Sequence, residues 1–488
     1  MTRIDERVST HVYKVKRISK EEMESIAGVC VYDQSPFCNA ACPLKLDVKA
    51  MLKAAAENDF KKAFKIYESI APFPLILSAG CGAPCEEKCR LCELGDGIAI
   101  GDIERVVALS GGAGEKRSIF RVRKKKKAAV FGSGLFALLL AGELEKKGYP
   151  VTAICGEADE EEYLRVAAGF LREDDFYTEL KRLRGKDIAF KFNAEMTREL
   201  FEEKRGGFDV LCASEKAALD IFPGAVRDEG IMLMESEGLL TGGGETVLEA
   251  ALGARKAALT ADRLAQGIDP RSARGEEGPV TSRLYTNPDL ARGLIRIKGC
   301  ESGYTREQAA EEAGRCMQCH CDECLRGCAY LRRFNKHPGL LSREIYNNTQ
   351  IIMGDHPLNR AMNACALCGQ CTVTCPHGFD MAHVCRTARE NMVDTDKMPL
   401  AAHEFALLDM LFSNGEAYLC RKQPGHSHCR YVFFPGCQAA AIAPEAVIAA
   451  YEDLCTRLKG GVALMLGCCG AIAHWAGRGE MYGEVRDK

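Results

Sequence analysis

Charge of either sign is barely in excess in this 488-residue chain, where 65 Lys and Arg face 68 Asp and Glu and leave a net charge of −3. That removes the electrostatic footprint expected of a nucleic-acid binder. The one basic run, residues 121–127, directly precedes an apolar strand pattern and reads as a solvated linker. Long apolar runs are missing as well. The longest, about residues 128–142, is interrupted by glycines and falls short of the ~20 residues a bilayer span needs, so no transmembrane segment is expected. The opening MTRIDERVST lacks the apolar core of a secretory leader. A secreted disulfide scaffold is therefore not expected, and a reducing, cytoplasmic setting is. Length alone predicts about three domains.

Cysteine is what the chain has in abundance. Its 26 cysteines fall in clumps at 30–42, 81–92, 316–328, 365–385 and 420–469, a distribution that suits metal ligation better than disulfides. Cys365, Cys368, Cys371 and Cys375, followed at once by Pro376, are separated by two, two and three residues. Three thiolates so spaced can wrap one face of a 4Fe-4S cube, while the fourth, redirected by the proline, reaches a neighbouring cube. Upstream, EQAAEEAGRCMQCHCDECLRGCAYL supplies Cys316, Cys319, Cys321, Cys324 and Cys328, one more than a single cube takes. Cys321, Cys324 and Cys328 keep the two-and-three spacing, but Gln318 stands three residues before Cys321, so Cys319 or Cys316 must substitute. By the exchange rule for paired cubes, Cys328 completes the set of Cys365, Cys368 and Cys371, and Cys375 completes the upstream set. His320 reads as an exposed histidine. Residues 313–400 thus form an α-helical, ferredoxin-like dicluster module.

Residues 21–109 read as short helices joined by cysteine-bearing loops, with helical periodicity over 48–69. Cys30, Cys38 and Cys42 precede that stretch, and Cys81, Cys85, Cys89 and Cys92 follow it in AGCGAPCEEKCRLC. No zinc-finger spacing fits. Over about 80 residues the segment resembles the helical two-cluster domain of the glutamate synthase small subunit and dihydropyrimidine dehydrogenase. The resemblance implies one cluster on Cys30, Cys38 and Cys89, completed by Asp33, which stands where the family has a cysteine, or by Cys92. It implies a second on Cys42, Cys81 and Cys85, with Glu104 at the family's non-cysteine ligand position. The domain is expected over residues 1–118.

The next stretch, KAAVFGSGLFALLLAGELEKKGYPVTAIC, is a strand, glycine turn, helix and strand, the start of a Rossmann unit over residues 125–265. Gly132 allows the tight turn, Gly134 lets a pyrophosphate approach the backbone, and Ala137 is small enough for close helix packing. The acid expected after the second strand is replaced by Cys155, with Glu157 two positions on. Further along, TGGGETVLEAALGARKAALTADRL resembles the closing motif of flavin-binding domains, with Gly243 before Gly244 at the aspartate position and Glu245 after it. The resemblance implies FAD, against a scaffold that has lost its flavin. Related flavoproteins insert an NAD(P)H-binding domain before this motif. Here only about 26 residues intervene, fewer than the ~30 of one βαβ crossover, so NAD(P)H binding is not expected.

After a linker at 266–312, the dicluster module with its helix and Gly-Asp-His-Pro turn at 341–359 resembles the dicluster, ferredoxin-like component of heterodisulfide reductases. Residues 431–470 give YVFFPGC, a helix and VALMLGCCG, a strand-helix-strand unit with Cys437 at one strand end and Cys468 and Cys469 at the other. This resembles the cysteine-rich CCG domain of the disulfide-reducing component of the same enzymes, in which adjacent cysteines hold a noncubane 4Fe-4S cluster that reduces a disulfide. Only 19 residues follow Cys469, so residues 401–488 are a partial α/β domain: a fragment in preference to a site completed by a second chain or a docking surface. The whole chain resembles the pyridine nucleotide-disulfide oxidoreductase/dicluster-binding proteins. That resemblance implies a multidomain α and α/β oxidoreductase with about four 4Fe-4S clusters, FAD, and a noncubane cluster if the last domain is completed. Its partners would be a ferredoxin, a flavoprotein or heterodisulfide-reductase-like subunits. The alternative is a non-catalytic electron-transfer subunit without flavin. No catalytic residue is assigned.

Overall fold

Strands of buried Ala, Val, Ile and Phe, with helices between them, are what a parallel sheet covered on both faces demands. The computed structural model shows such a sheet: β1 (Ala128–Phe131), β2 (Val151–Ile154), β3 (Ile188–Lys191), β4 (Val210–Ser214), β5 (Leu233–Met234) and β6 (Leu239–Gly242) lie in the order β3-β2-β1-β4-β6-β5. All pairs are parallel except β5 with β6. Between β4 and β6 the chain forms only the Glu215–Ile221 helix and the two-residue β5. The structure describes residues 18–111, 123–272, 274–300, 303–398 and 403–487; the opening decapeptide and the end of the expected first domain lie outside them.

The sheet belongs to one of two compact units, Gln34–Cys321. In it the periodic stretch 48–69 is broken at Asn58, which takes φ 58°. Two helices result, Val48–Ala56 and Phe60–Glu68, each started by an aspartate side chain: Asp47 accepts from the Ala50 N–H and Asp59 from the Lys62 N–H. Their apolar faces, with Ile103 and Val107 of the Ile100–Ser110 helix, share one core with Leu138 and Leu139 of the Leu135–Lys146 helix and with the alanine-rich face of the Val247–Gln266 helix. The cysteine-bearing helices and the Rossmann sheet are therefore one packed body.

Within the expected linker 266–312, the described residues of 268–300 act as a strap in this unit. Val280 N–H donates to the Ala40 carbonyl (2.8 Å), Ser282 Oγ to the Ser35 carbonyl (2.7 Å) and Asp96 N–H to the Leu294 carbonyl (2.7 Å). The strap delivers the chain to the Arg306–Gly314 helix, started by a Thr305/Gln308 capping box and packed on Val48–Ala56.

The other unit joins Met1–Asp33 to Asp322–Lys488. Its Lys20–Ala27 helix, capped by Ser19, packs on Pro338–Gln350, and Tyr32 stacks on His337 with ring centroids 4.3 Å apart. Leu331, Leu341, Ile345, Phe379 and Val384 form the core beneath the dicluster loops. Toward the carboxyl end, β7 (Leu419–Arg421), β8 (Tyr431–Phe433) and β9 (Val462–Leu466) lie in the order β7-β9-β8. β8 and β9 are parallel and joined through the Pro444–Arg457 helix, the strand-helix-strand arrangement read from the sequence.

Candidate metal centres

In the Gln34–Cys321 unit the thiols form two groups. Cys42 closes the Phe37–Ala41 helix and faces Cys81 and Cys85. Glu104, only 3% exposed, lies against all three. Burial, then the nearby Glu86 carboxylate, pushes its carboxyl up to about 8. The buried Tyr67 hydroxyl interacts with the Glu104 carboxyl and partly offsets that rise. Three thiols and a buried carboxyl that sense one another's charge fit the donor set of a 4Fe-4S cube with a single oxygen ligand.

Cys38 faces Cys316, Cys319 and Cys89, and Cys316 in turn faces Cys319 and Cys89. Burial drives the Cys38 thiol well up and lifts Cys316 to about 11. Cys30, the expected partner of Cys38 and Cys89, falls in the other unit, as does the exposed Asp33. Cys92 is exposed and its thiol donates to the Glu86 carbonyl (3.5 Å). His320 Nδ1 lies 2.8 Å from the Gln318 carbonyl.

In the unit built on Asp322–Lys488, Cys324 and Cys371 are buried, Cys328, Cys365 and Cys375 line the same core, and Cys368 is exposed. Cys30 packs on the same core as Cys375, whose charge it senses, and lies close to Gly339. Two residues that the sequence reading missed sit here. Cys385, fully buried, donates toward Cys365 and lowers its pKa, and lies 3.6 Å from the Tyr330 hydroxyl. Arg389, 2% exposed, donates to the carbonyls of Met362 (2.6 and 2.8 Å), Cys365 (2.5 Å) and Trp475 (2.6 Å).

The backbone at these thiols is shaped in a recurring way. Ala83, Gln318 and Leu367, each two residues after a cysteine, take φ of 46°, 51° and 55°. The left-handed region costs a non-glycine residue about 1–2 kcal/mol, so strain is repeated where the thiols are. Its effect is to turn amides onto sulfur. Leu367 N–H donates to Cys365 Sγ (3.4 Å), Leu46 N–H to Cys42 Sγ (3.5 Å), and the amides of Ala83 and Gln318 face Cys81 and Cys316. Amides so aimed stabilise thiolate and tune the potential of anything it ligates. Among the described residues no three His, Cys, Asp or Glu side chains meet closely enough to hold one metal ion. The case for clusters therefore rests on which thiols face one another, their spacing and these amides.

At the Rossmann turn, Gly132 takes φ 84° and a Cβ there would come 2.7 Å from Ala217 Cβ, while Gly134 takes φ 100° with open space before it. Ala137 is buried in the helix that follows. Glu157 Oε2 is buried with no hydrogen-bond partner. An open turn and an orphan carboxylate oxygen fit the adenosine half of a dinucleotide. The flavin half fits poorly: a Cβ at Gly244 would lie 2.5 Å from the Ala250 nitrogen, so the space of the missing aspartate is filled by the start of the Val247–Gln266 helix. Gly243, Gly244 and Glu245 line a cleft of about 500 Å³ of mixed charge, in which Arg227 pairs with Glu215 (3.0 Å) and Glu229 (2.6 Å) and Glu249 and Lys256 complete the wall. Near the carboxyl end, Cys437 begins a helix after β8, and Cys468 lies beside Cys437 and Cys469. Burial, with Cys437 and Cys469 adding to it, raises Cys468 to about 11.

Residues 7–112 match the family described as dihydropyrimidine dehydrogenase domain II, 4Fe-4S cluster, and residues 315–380 match a 4Fe-4S dicluster domain. Both cysteine-rich stretches are 4Fe-4S domains. The chain is similar to the NADPH-Fe(3+) oxidoreductase beta subunit of Geobacter sulfurreducens, 28% identical over 230 residues that cover 44% of this chain and 33% of the relative. The NADP(+)-dependent formate dehydrogenase beta subunit of Moorella thermoacetica is 28% identical over 159 residues, 28% of this chain and 21% of its own. The glutamate synthase [NADPH] small chain of Azospirillum brasilense is 29% identical over 146 residues, 28% of this chain and 29% of its own. The chain thus spans a third or less of the length of these relatives. These matches bear out the resemblance to dicluster pyridine nucleotide oxidoreductases, and the matched domains are of the iron–sulfur, electron-transfer kind. No helix among its described residues is long and apolar enough to cross a membrane.

Proposed function

We propose that this chain is the electron-relaying part of a larger redox complex, carrying about four 4Fe-4S clusters and handing electrons to partner proteins. The observation that carries the reading is the repeated thiol loop, in which a strained residue turns its amide onto the preceding cysteine at Cys81, Cys316 and Cys365. When bound, such clusters supply one-electron steps at potentials set by sulfur hydrogen bonds and solvent access. The chain's own part is to hold the thiols at fixed positions, aim amides at them and keep water from the buried ones.

The orphan oxygen of Glu157 supports FAD in the Rossmann unit, and the thiols of Cys437, Cys468 and Cys469 support a heterodisulfide-reductase-like site. A second reading, an electron wire without flavin, is favoured by the filled space at Gly244. Iron and acid-labile sulfide on anaerobically purified protein test the main reading: about sixteen irons per chain are expected, and eight or fewer would remove the amino-terminal sites. FAD in the supernatant after acid precipitation supports the flavoprotein, and its absence the wire.

A further inference from the structure

The two cysteine patterns each lack one thiolate by sequence, at Asp33 in the front domain and at Gln318 in the dicluster module. We propose that the two share their cysteines: Cys38, Cys89, Cys316 and Cys319 together hold one 4Fe-4S cluster, and Cys30 serves the dicluster module beside Cys375. The assignment rests on the iron–sulfur reading above and goes beyond it in naming the ligands.

Three observations carry it. The four thiols pack against a single core, close enough that each senses the charge of the others. The loop bearing Cys316 and Cys319 is fastened to the Cys38 side through Lys49. Its N–H donates to Asn39 Oδ1 (3.0 Å), its Nζ to the Cys319 carbonyl (2.9 Å), and its carbonyl accepts from Gln318 Nε2 (3.3 Å). The same loop is fastened to the Cys89 side through two buried residues just before Cys316. Glu312 accepts from the Ala99 N–H (3.0 Å), and Arg315, paired with Glu312 at 2.5 Å, donates to the Asp96 carbonyl (2.6 Å). Gln318, useless as a ligand, thus has a use in the structure: its left-handed backbone turns its amide onto Cys316, and its side chain reaches both Lys49 and Cys316 Sγ (3.4 Å).

Cys30 is held as firmly where it stands. Its sulfur faces the amides of Tyr32 and Gly339, and a Cβ at Gly339 would come 2.9 Å from Cys30 Cβ, so only glycine admits that approach.

The test compares signals of the dithionite-reduced, anaerobically purified full chain by electron paramagnetic resonance. The double variant Cys316→Ser/Cys319→Ser is expected to lose about four irons and the same signal that Cys38→Ser loses, while keeping the signal lost in Cys321→Ser. Cys30→Ser is expected to spare the Cys38 signal. Loss of the Cys321 signal in the double variant, or of one common signal in Cys30→Ser and Cys38→Ser, overturns the assignment. Wild-type protein free of iron and sulfide would instead sink the iron–sulfur reading, a distinguishable result.

Discussion

At Arg389 a guanidinium is buried with no carboxylate bonded to it among the described residues, its N–H groups spent on the carbonyls of Met362, Cys365 and Trp475. Arg389→Met would leave those carbonyls without donors in the interior and is expected to cost roughly 3 kcal/mol or more, read by denaturant unfolding. An unchanged midpoint would deny the residue this role. Nothing in RTARENMV marks Arg389 off from an exposed helical arginine, because helical periodicity does not say which polar residue is turned inward. Gly244 is the opposite case. Its place in the closing motif is legible, but the packing against Ala250 is not, and Gly244→Asp is expected to lower the melting temperature without increasing the flavin released on acid precipitation. A stable variant with newly bound FAD would show that the site had only lost its acid.

Among the elements, the Val247–Gln266 helix is tied to the chain leading into β1 and β2 by Asp262, which accepts from the Tyr149 hydroxyl (2.7 Å) and from Lys124. Partial burial works against the charged form, yet these two hydrogen bonds outweigh it and hold the carboxyl below its usual range. A folded-state pKa below that of the unfolded chain makes this contribution present above about pH 4 and lost as pH falls through the folded value. Asp262→Asn should therefore narrow the stability difference from wild type as pH drops from 6 toward 3; a constant difference across that range would exclude the linkage. The strand-turn-helix of residues 127–155 could be read directly because its period, glycines and length agree. The break at Asn58 could not, since apolar spacing continues across it and only the aspartate before each helix marks two starts.

For the whole molecule, two kinds of stability are expected side by side. The sheet of β1 to β6 rests on apolar packing, whereas the thiol loops gather buried thiols, the Glu104 carboxyl and strained backbone. Metal binding to such loops is folding free energy. Chelation under reducing, anaerobic conditions should remove hydrogen-exchange protection from residues 81–92 and 316–328 while β1, β2 and β4 stay protected. Equal protection before and after chelation would mean that the loops stand without a guest.

Cysteine spacing by itself determined that the chain carries iron–sulfur sites, and glycine placement that a Rossmann turn lies between them, because ligation and tight turns are local demands written within a few residues. Which thiols lie near one another was decided only by tertiary structure. The strap at 268–300 and the Lys49 and Arg315 hydrogen bonds bring residues more than 200 positions apart to one place. Spacing along the chain records a thiol's neighbours in sequence, and a shared cluster depends on neighbours in space.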